Sequence, residues 1–410
     1  MSHIVIIGGG FAGLWSAVSA ARRLGELGRS AKVSLVNLDP YHSIRVRNYE
    51  DDLSATLVKL DDVLGPIGVE VILGQVTHID AADQRVTVQQ LSGNVELEYD
   101  KLILASGSRL AAPDISGFAE HCFDIDTHAA AMRLQRHIAE LGNMAPHSGQ
   151  FTALVIGSGA TGVELATELP TRLARVAEAA GLSEPTQVRV ILADRADKIA
   201  SQLGGGQPVI ERACAEMGIE LRTNLSIARM DARGVVLTDG SRIDARTVIW
   251  CAGMQADPLT MQIPGERDAA GRLYVDSFMQ VMGAPDIYAA GDTAHALIDG
   301  ERPSVMSCQH ARPMGRYAGT NAVNALFHEG QLPLMIDWYT NIIDLGPWGA
   351  VYTQGWDRQV VAIGEQAKNA KTTINRVRIY PPIDRDRGSI LAAGTTDLER
   401  PPFLPPLAQG

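Results

Sequence analysis

The sequence predicts an α/β protein in which one strand–helix unit occurs twice and a smaller α+β region follows. Three observations carry this reading. A glycine-rich segment appears twice behind an apolar run, the stretches downstream of each copy match in order and spacing, and the composition changes after Leu332.

The first copy reads GGGFAGL at residues 8–14 behind the apolar residues 4–7, and the second GSGATGVE at 157–164 behind 153–156. Each is G-x-G-x-x-G at a strand-to-helix junction. In such a turn the first glycine allows a tight bend, the second lets a pyrophosphate approach the backbone, and the third lets helix and strand pack closely. The phosphates then lie at a helix N-terminus, whose unpaired N–H groups and dipole favour anions. One copy alone is weak evidence; two predict Rossmann-like dinucleotide-binding units and two bound dinucleotides.

The elements follow in parallel. Behind the first copy come a helix continuing through 16–24, the strand KVSLVN, the stretch GVEVILGQVTHID, the pair RVTVQQ and NVELEYD, and the strand KLILASGS. Behind the second come a helix over 161–180, which Pro170 is expected to kink or interrupt, then VRVILAD, GIELRTNLSIARMD, GVVLTDGSRID and RTVIWCAGM. Gly68 lies 60 residues after Gly8, and Gly218 lies 61 after Gly157; Gly107 and Gly253 follow the same two glycines by 99 and 96. The chain reads as an internal duplication. VMGAPDIYAAGD then ends a strand in a glycine-aspartate turn, and a loop leads to a helix over 317–327. Trp338, Trp348 and Trp356 occur among short β-prone pieces, DWYTNIIDLG and WGAVYTQGWDRQVVAIG, which predict a small separate domain. The tail RPPFLPPLAQG predicts an extended arm.

At 410 residues the chain exceeds one core. A net charge of −11 argues against nucleic acid or an anionic membrane surface as the main partner. The four cysteines, Cys122, Cys214, Cys251 and Cys308, show neither C-x-x-C nor metal-ligand spacing, which favours a cytoplasmic location with reduced thiols and no metal. No run of apolar residues is long enough to span a bilayer.

The motif order resembles the two-dinucleotide-binding-domain flavoproteins of the pyridine nucleotide-disulfide oxidoreductase superfamily, and within it the type II NADH dehydrogenases. GGGFAGL, YHSIRVRNYE, LILASGS, VIGSGATGVELATEL, VIWCAGM, IYAAGD and SCQHARPMGRYAGTNA carry the resemblance, over roughly the first 325 residues. It implies an FAD-binding domain at 1–115 and 270–330, an NADH-binding domain at 116–269, and a C-terminal domain and tail at 331–410. It places FAD over Gly8, Gly10, Ala12 and Gly13, with Val76, Ala105, Ser106, Gly107, Gly291 and Asp292 along the cofactor, Asp292 holding the ribityl chain. The acid that grips the adenine ribose in the family is replaced by Asn37, with Asp39 close by. Arg45 and Arg47 are candidates to neutralise the pyrophosphate or are solvated loop residues. For NADH the resemblance implies Gly157, Gly159, Thr161, Gly162, Ala252 and Gly253, with Asp194 on the ribose 2′-hydroxyl. A carboxylate there disfavours a 2′-phosphate, so NADH is preferred to NADPH, although Arg195 follows immediately. Glu164 lies where a family glutamate meets nicotinamide and flavin; its plain alternative is a first-turn acid complementing the helix dipole.

The onward path of the electrons is less determined. The cysteine pairs of disulfide reductases are missing, and for a sulfide-oxidising site only Cys122 and Cys308 are available. The A-Q-x-x-x-Q pattern of type II dehydrogenases becomes Cys308-Gln309 with Pro313 at the second glutamine, so the helix is expected to start late or bend. Gln309 and His310 are candidates to touch flavin or acceptor, with a buried helix-start histidine as the alternative for His310. The tryptophans are candidates to roof an acceptor pocket. The region after Trp356 lacks the leucine- and phenylalanine-rich periodicity of membrane-binding helices, which predicts at most loose membrane association. These features lead to an FAD-dependent NADH oxidoreductase passing electrons to a quinone or similar small acceptor. The alternatives are a reductase of a protein carrier such as ferredoxin and a redox-sensing flavoprotein. The resemblance further implies a homodimer.

Overall fold

The computed structural model describes residues 1–145, 148–181 and 188–402. The proline-rich tail read from the sequence falls mostly beyond 402, outside the described residues.

The duplication is visible strand by strand. In the first unit a parallel sheet runs Lys101–Leu104, His3–Ile7, Lys32–Asn37, Glu70–Leu73; in the second it runs Thr247–Trp250, Thr152–Ile156, Arg189–Ala193, Glu220–Arg222. The fingerprint strand occupies the same place in each, and Ile7 is level with Val36 as Ile156 is level with Ala193. Each unit also carries a three-stranded antiparallel meander before its last strand, at Gln75–Asp80, Arg85–Gln90 and Gly93–Glu98, and at Ile227–Asp231, Gly234–Leu237 and Arg242–Asp244. The chain returns to the first sheet through Ala284–Ala289, which pairs with Lys101–Leu104. The central strands are almost continuously apolar because both faces are covered, in the first unit by helices and by the meander residues Val76, Ile79, Val86 and Val88.

Both fingerprint turns have one geometry. Gly8 and Gly157 take φ of +103° and +106°, and a Cβ on Gly13 or on Gly162 would lie 1.8 Å from the carbonyl oxygen of the first glycine of its own motif. Side chains are sterically forbidden there, so glycine is dictated by packing before any ligand is considered. The helices that follow are Phe11–Glu26 and Ala160–Ala179.

The second helix runs through Pro170 without ending, contrary to the expected interruption. Leu165, Leu169 and Leu173 bury its sheet-facing side, and that packing outweighs the cost of about 3 kcal/mol for an interior proline. Similarly, the helix after the glycine-aspartate turn starts at Cys308 and continues to Leu326 with Pro313 inside it, so it does not start late. Gly315 and Gly319 hold it against the first fingerprint helix: a Cβ on either would lie 2.2 or 2.1 Å from the carbonyl oxygen of Ala12 or Ser16.

The C-terminal region forms a three-stranded antiparallel sheet, Thr340–Asp344, Ala350–Gln354 and Gln359–Ile363, followed by the helix Gly364–Thr373. The polar sequence after Trp356 is thus partly helical, with Ala367 buried and Ala370 and Ile374 packed beside it. The region is not separate. Leu334, Ile336 and Ile390 join the core of the first unit, and Ile343, Leu345 and Val351 join that of the second. Among the described residues no helix is long and apolar enough to cross a membrane.

Candidate active site

The first fingerprint leaves its helix N-terminus free. Gly10 precedes the helix with no side-chain cap, and a Cβ on it would meet nothing within 4 Å. This is a cradle open to a ligand on the side where N–H groups are unpaired. Nearby, Ser43 Oγ and Ser106 Oγ are buried with no hydrogen-bond partner among the described residues, and Asp292 accepts a bond of 2.6 Å from Ser108 Oγ. Burial pushes the Asp292 carboxyl up, against the pull of Ser108 and of Arg45 at 4.0 Å. An open phosphate cradle, hydroxyls without partners and a buried acid at a glycine turn fit the polar demands of a dinucleotide such as FAD.

The residues predicted around it divide into two groups. Val76 and Ala105 are buried, and a Cβ on Gly8 would lie 2.4 Å from Ala105 O, so Ala105 supports the turn. Gly107 takes φ of +76°, and Gly291 could not carry a Cβ without meeting that of Ala12 at 2.9 Å. Asn37 accepts from Gly9 N at 2.8 Å, while its amide donates to Asp39 O at 2.8 Å and Tyr41 O at 3.3 Å. Both donors of Asn37 are therefore spent on its own loop. Arg45 bonds Ser108 and Asp126. Arg47 is buried, held in a two-pronged pair with Glu50 at 2.8 and 2.6 Å and donating to Tyr380 OH at 2.6 Å. The structure thus gives Arg47 a packing role.

A cavity of about 910 Å³ opens beside the second fingerprint. Gly157, Gly159, Thr161, Glu164, Asp194, Ala252, Gly253, Arg45 and Gln309 all line it, so residues scattered over the sequence converge on one space. Asp194 Oδ2 accepts from Ser158 N at 2.7 Å and Ser158 Oγ at 2.6 Å, and Oδ1 from Ala196 N at 3.0 Å. Although partial burial raises the Asp194 carboxyl, these bonds outweigh it and hold it below the usual range, hence ionised. Arg195 is exposed and does not line the cavity.

Glu164 is buried, and its Oε1 lies 2.5 Å from Lys371 Nζ and 3.1 Å from Asp344 N. Lys371 also donates to Ile342 O at 2.9 Å. Burial lowers the ammonium's affinity for its proton, but Glu164 and Asp344 outweigh it and keep Lys371 charged. The second fingerprint helix is therefore tied to the C-terminal sheet and helix at the cavity wall. Sequence reasoning missed Lys371 because a lysine in a polar stretch reads as solvated.

Gln309 lines the cavity with Oε1 accepting from Thr340 N at 3.1 Å and Thr340 Oγ1 at 2.9 Å. His310 points elsewhere: it is fully buried, its Nδ1 accepts from Val305 N at 2.9 Å, and its ring sits near Tyr339 and Trp356. Burial lowers its pKa to about 4, so it is neutral at pH 7 and outside the cavity lining. Of the tryptophans only Trp338 lines the cavity; Trp356 stacks on Tyr339, and Trp348 donates to Glu216 at 2.7 Å. Cys308 lines the cavity and Cys122 is buried away from it, so the two do not face each other across one space. Arg312 and Arg316 also line it and were missed, although their spacing of four on one helix was legible.

The model of the pyridine nucleotide-disulphide oxidoreductase family matches residues 2–315. A NADH dehydrogenase-like protein of Mycobacterium tuberculosis is 48% identical over 407 residues, covering 98% of this chain and 100% of the relative. A type II NADH:quinone oxidoreductase of the same organism is 27% identical over 318 residues, covering 71% of this chain and 67% of the relative. Among solved structures, NDH2 from Plasmodium falciparum in complex with NADH aligns with a TM-score of 0.78 at 14% identity, over 96% of this chain and 97% of the other. The sulfide:quinone oxidoreductase of Aquifex aeolicus aligns with a TM-score of 0.76 at 19% identity, over 95% and 92%. These structural likenesses speak to the fold.

Proposed function

The chain belongs to the pyridine nucleotide-disulphide oxidoreductase family, and from that premise we propose that it oxidises NADH and passes two electrons to a quinone or similar small aromatic acceptor. The observation that carries the reading is one cavity lined at once by the second fingerprint, by Glu164 and by the helix after the glycine-aspartate turn. Similarity to a type II NADH:quinone oxidoreductase supports the choice of acceptor. The overall change balances as NADH + H⁺ + quinone → NAD⁺ + hydroquinone.

FAD, when bound, supplies the two-electron relay between donor and acceptor. The chain's own residues hold, orient and exclude water. Gly8, Gly10, Ala12, Gly13 and Asp292 would hold FAD in the domain formed by residues 1–115 and 270–330. Gly157, Gly159, Thr161 and Gly162 would hold the NADH pyrophosphate in the domain at 116–269, and ionised Asp194 would accept from the ribose. Glu164, fixed by Lys371, would orient the nicotinamide edge. Thr340 fixes Gln309 on the acceptor side, and His310 acts in packing.

Anaerobic addition of NADH to the purified protein is expected to bleach the flavin, and a quinone to restore its colour. Recolouring by an iron–sulfur protein but by no quinone would replace the acceptor with a protein carrier; recolouring by nothing would overturn the reading.

A further inference from the structure

Arg312 and Arg316 lie four residues apart on the helix Cys308–Leu326 and both line the cavity. Their guanidinium carbons sit 5.3 and 4.4 Å from the centroid of the Trp15 ring. Arg316 is only 9% exposed, and the Nε of each arginine is buried without a hydrogen-bond partner. Among the described residues neither makes a hydrogen bond or an ion pair. Among the described residues the acidic side chains of the cavity are Glu164, held by Lys371, Asp194, held by Ser158, and Glu399, which pairs with Arg378 at 2.7 Å and attracts both arginines from a distance.

Taking a charge out of water costs more than a cation over an aromatic face returns. Trp15 therefore offsets only part of the cost of two neighbouring buried cations. Burial does lower both below the usual arginine value, Arg316 to about 10, yet both remain protonated at pH 7. Two forked donors that line a cavity with no hydrogen-bond partner are complementary to an anion, since guanidinium matches carboxylate in two-pronged geometry. Arg312 acts electrostatically on His42, whose ring bonds Gly9 O at 2.9 Å in the first fingerprint, so the flavin dinucleotide is the competing occupant that the test must separate.

We propose that Arg312 and Arg316 form a subsite for the anionic substituent of the electron acceptor, which makes that acceptor an acidic aromatic compound, a quinone or related ring bearing a carboxylate. The proposal rests on the acceptor reading above and adds the substrate class. The anion is a spectator: the nicotinamide C–H bond breaks, two electrons reach the ring, and its oxygens take up the protons, while the acidic group stays ionised against the arginines.

The test uses the FAD-loaded protein. Titration calorimetry with the redox-inert 1-hydroxy-2-naphthoate and with 1-naphthol, which lacks the carboxylate, is expected to show at least tenfold tighter binding of the naphthoate. Equal affinities overturn the proposal without need of a variant. In Arg312→Gln and Arg316→Gln the naphthoate affinity is expected to fall at least tenfold, with Arg316→Lys retaining part of it. The ratio of kcat/KM for 1,4-naphthoquinone-2-sulfonate to that for 2-methyl-1,4-naphthoquinone should fall by a similar factor. Loss of bound FAD in the glutamine variants would reassign the arginines to the flavin and overturn the proposal, as would an unchanged ratio. If neither quinone reoxidises the flavin, the quinone reading falls, while the naphthoate binding still decides the subsite.

Discussion

Asn37 and Asp194 are the same position in the two halves of the duplication: Asn37 accepts Gly9 N–H at 2.8 Å, and Asp194 accepts Ser158 N–H at 2.7 Å. Each lies one residue beyond the last pairing with the fingerprint strand, at Val36 and Ala193. The neutral amide has spent both donors on its loop, whereas the carboxylate keeps acceptor capacity and faces the cavity. One backbone device has thus been given two chemistries.

The substitution Asp194→Asn converts the second site to the chemistry of the first while leaving an oxygen for Ser158. We expect the KM for NADH to rise roughly tenfold and the NADPH to NADH ratio of kcat/KM to rise by at least that factor, because the charge that repels a 2′-phosphate is removed. An unchanged ratio in steady-state kinetics would take the ribose role away from Asp194.

The two fingerprints can be broken separately. A Cβ at Gly13 or Gly162 would collide with a backbone oxygen at 1.8 Å. Gly13→Ala is expected to purify without FAD, read from the absorbance near 450 nm. Gly162→Ala is expected to retain FAD but to resist bleaching by NADH. The converse pattern would reverse the division of labour.

Removing one member of the Glu164–Lys371 pair leaves the other charge buried alone. Lys371→Met is expected to cost about 3–5 kcal/mol in denaturant unfolding, and the double variant with Glu164→Gln to recover most of that loss. Glu164→Gln alone should slow flavin reduction by NADH at least tenfold in stopped flow. A rate equal to the parent's would leave Glu164 a structural residue only.

Acid should begin to destabilise the protein in the histidine range. His42 and His310 are fully buried, and burial lowers each from 6.5 to about 4. The unfolded chain therefore takes up protons first. Stability is complete above pH 6.5 and is lost as pH falls toward 4, by about 2 kcal/mol per histidine at pH 5. The stability difference between pH 7 and pH 5 should shrink by about that amount in His310→Gln; equal acid sensitivity of the two proteins would contradict the buried neutral state.

The sequence by itself determined the duplicated parallel-sheet units, because glycine turns, apolar strand runs and the intervals between them are local properties written along the chain. It also determined that Glu164, Asp194 and Gln309 deserved to be singled out, since motif position marks them. Only the tertiary structure decided their company. Lys371, Arg312, Arg316 and Trp338 enter the same cavity from distant segments, and nothing in the polar run around Lys371 shows that its ammonium is buried against a carboxylate. Pro170 and Pro313 mark the same boundary from the other side: a local rule predicted broken helices, and packing along their buried faces overruled it. His310, beside a marked glutamine in sequence, faces away because consecutive residues on a helix point about 100° apart. Spacing fixes what a strand or helix can be, but which charges meet depends on desolvation and on contacts that the chain makes only when closed.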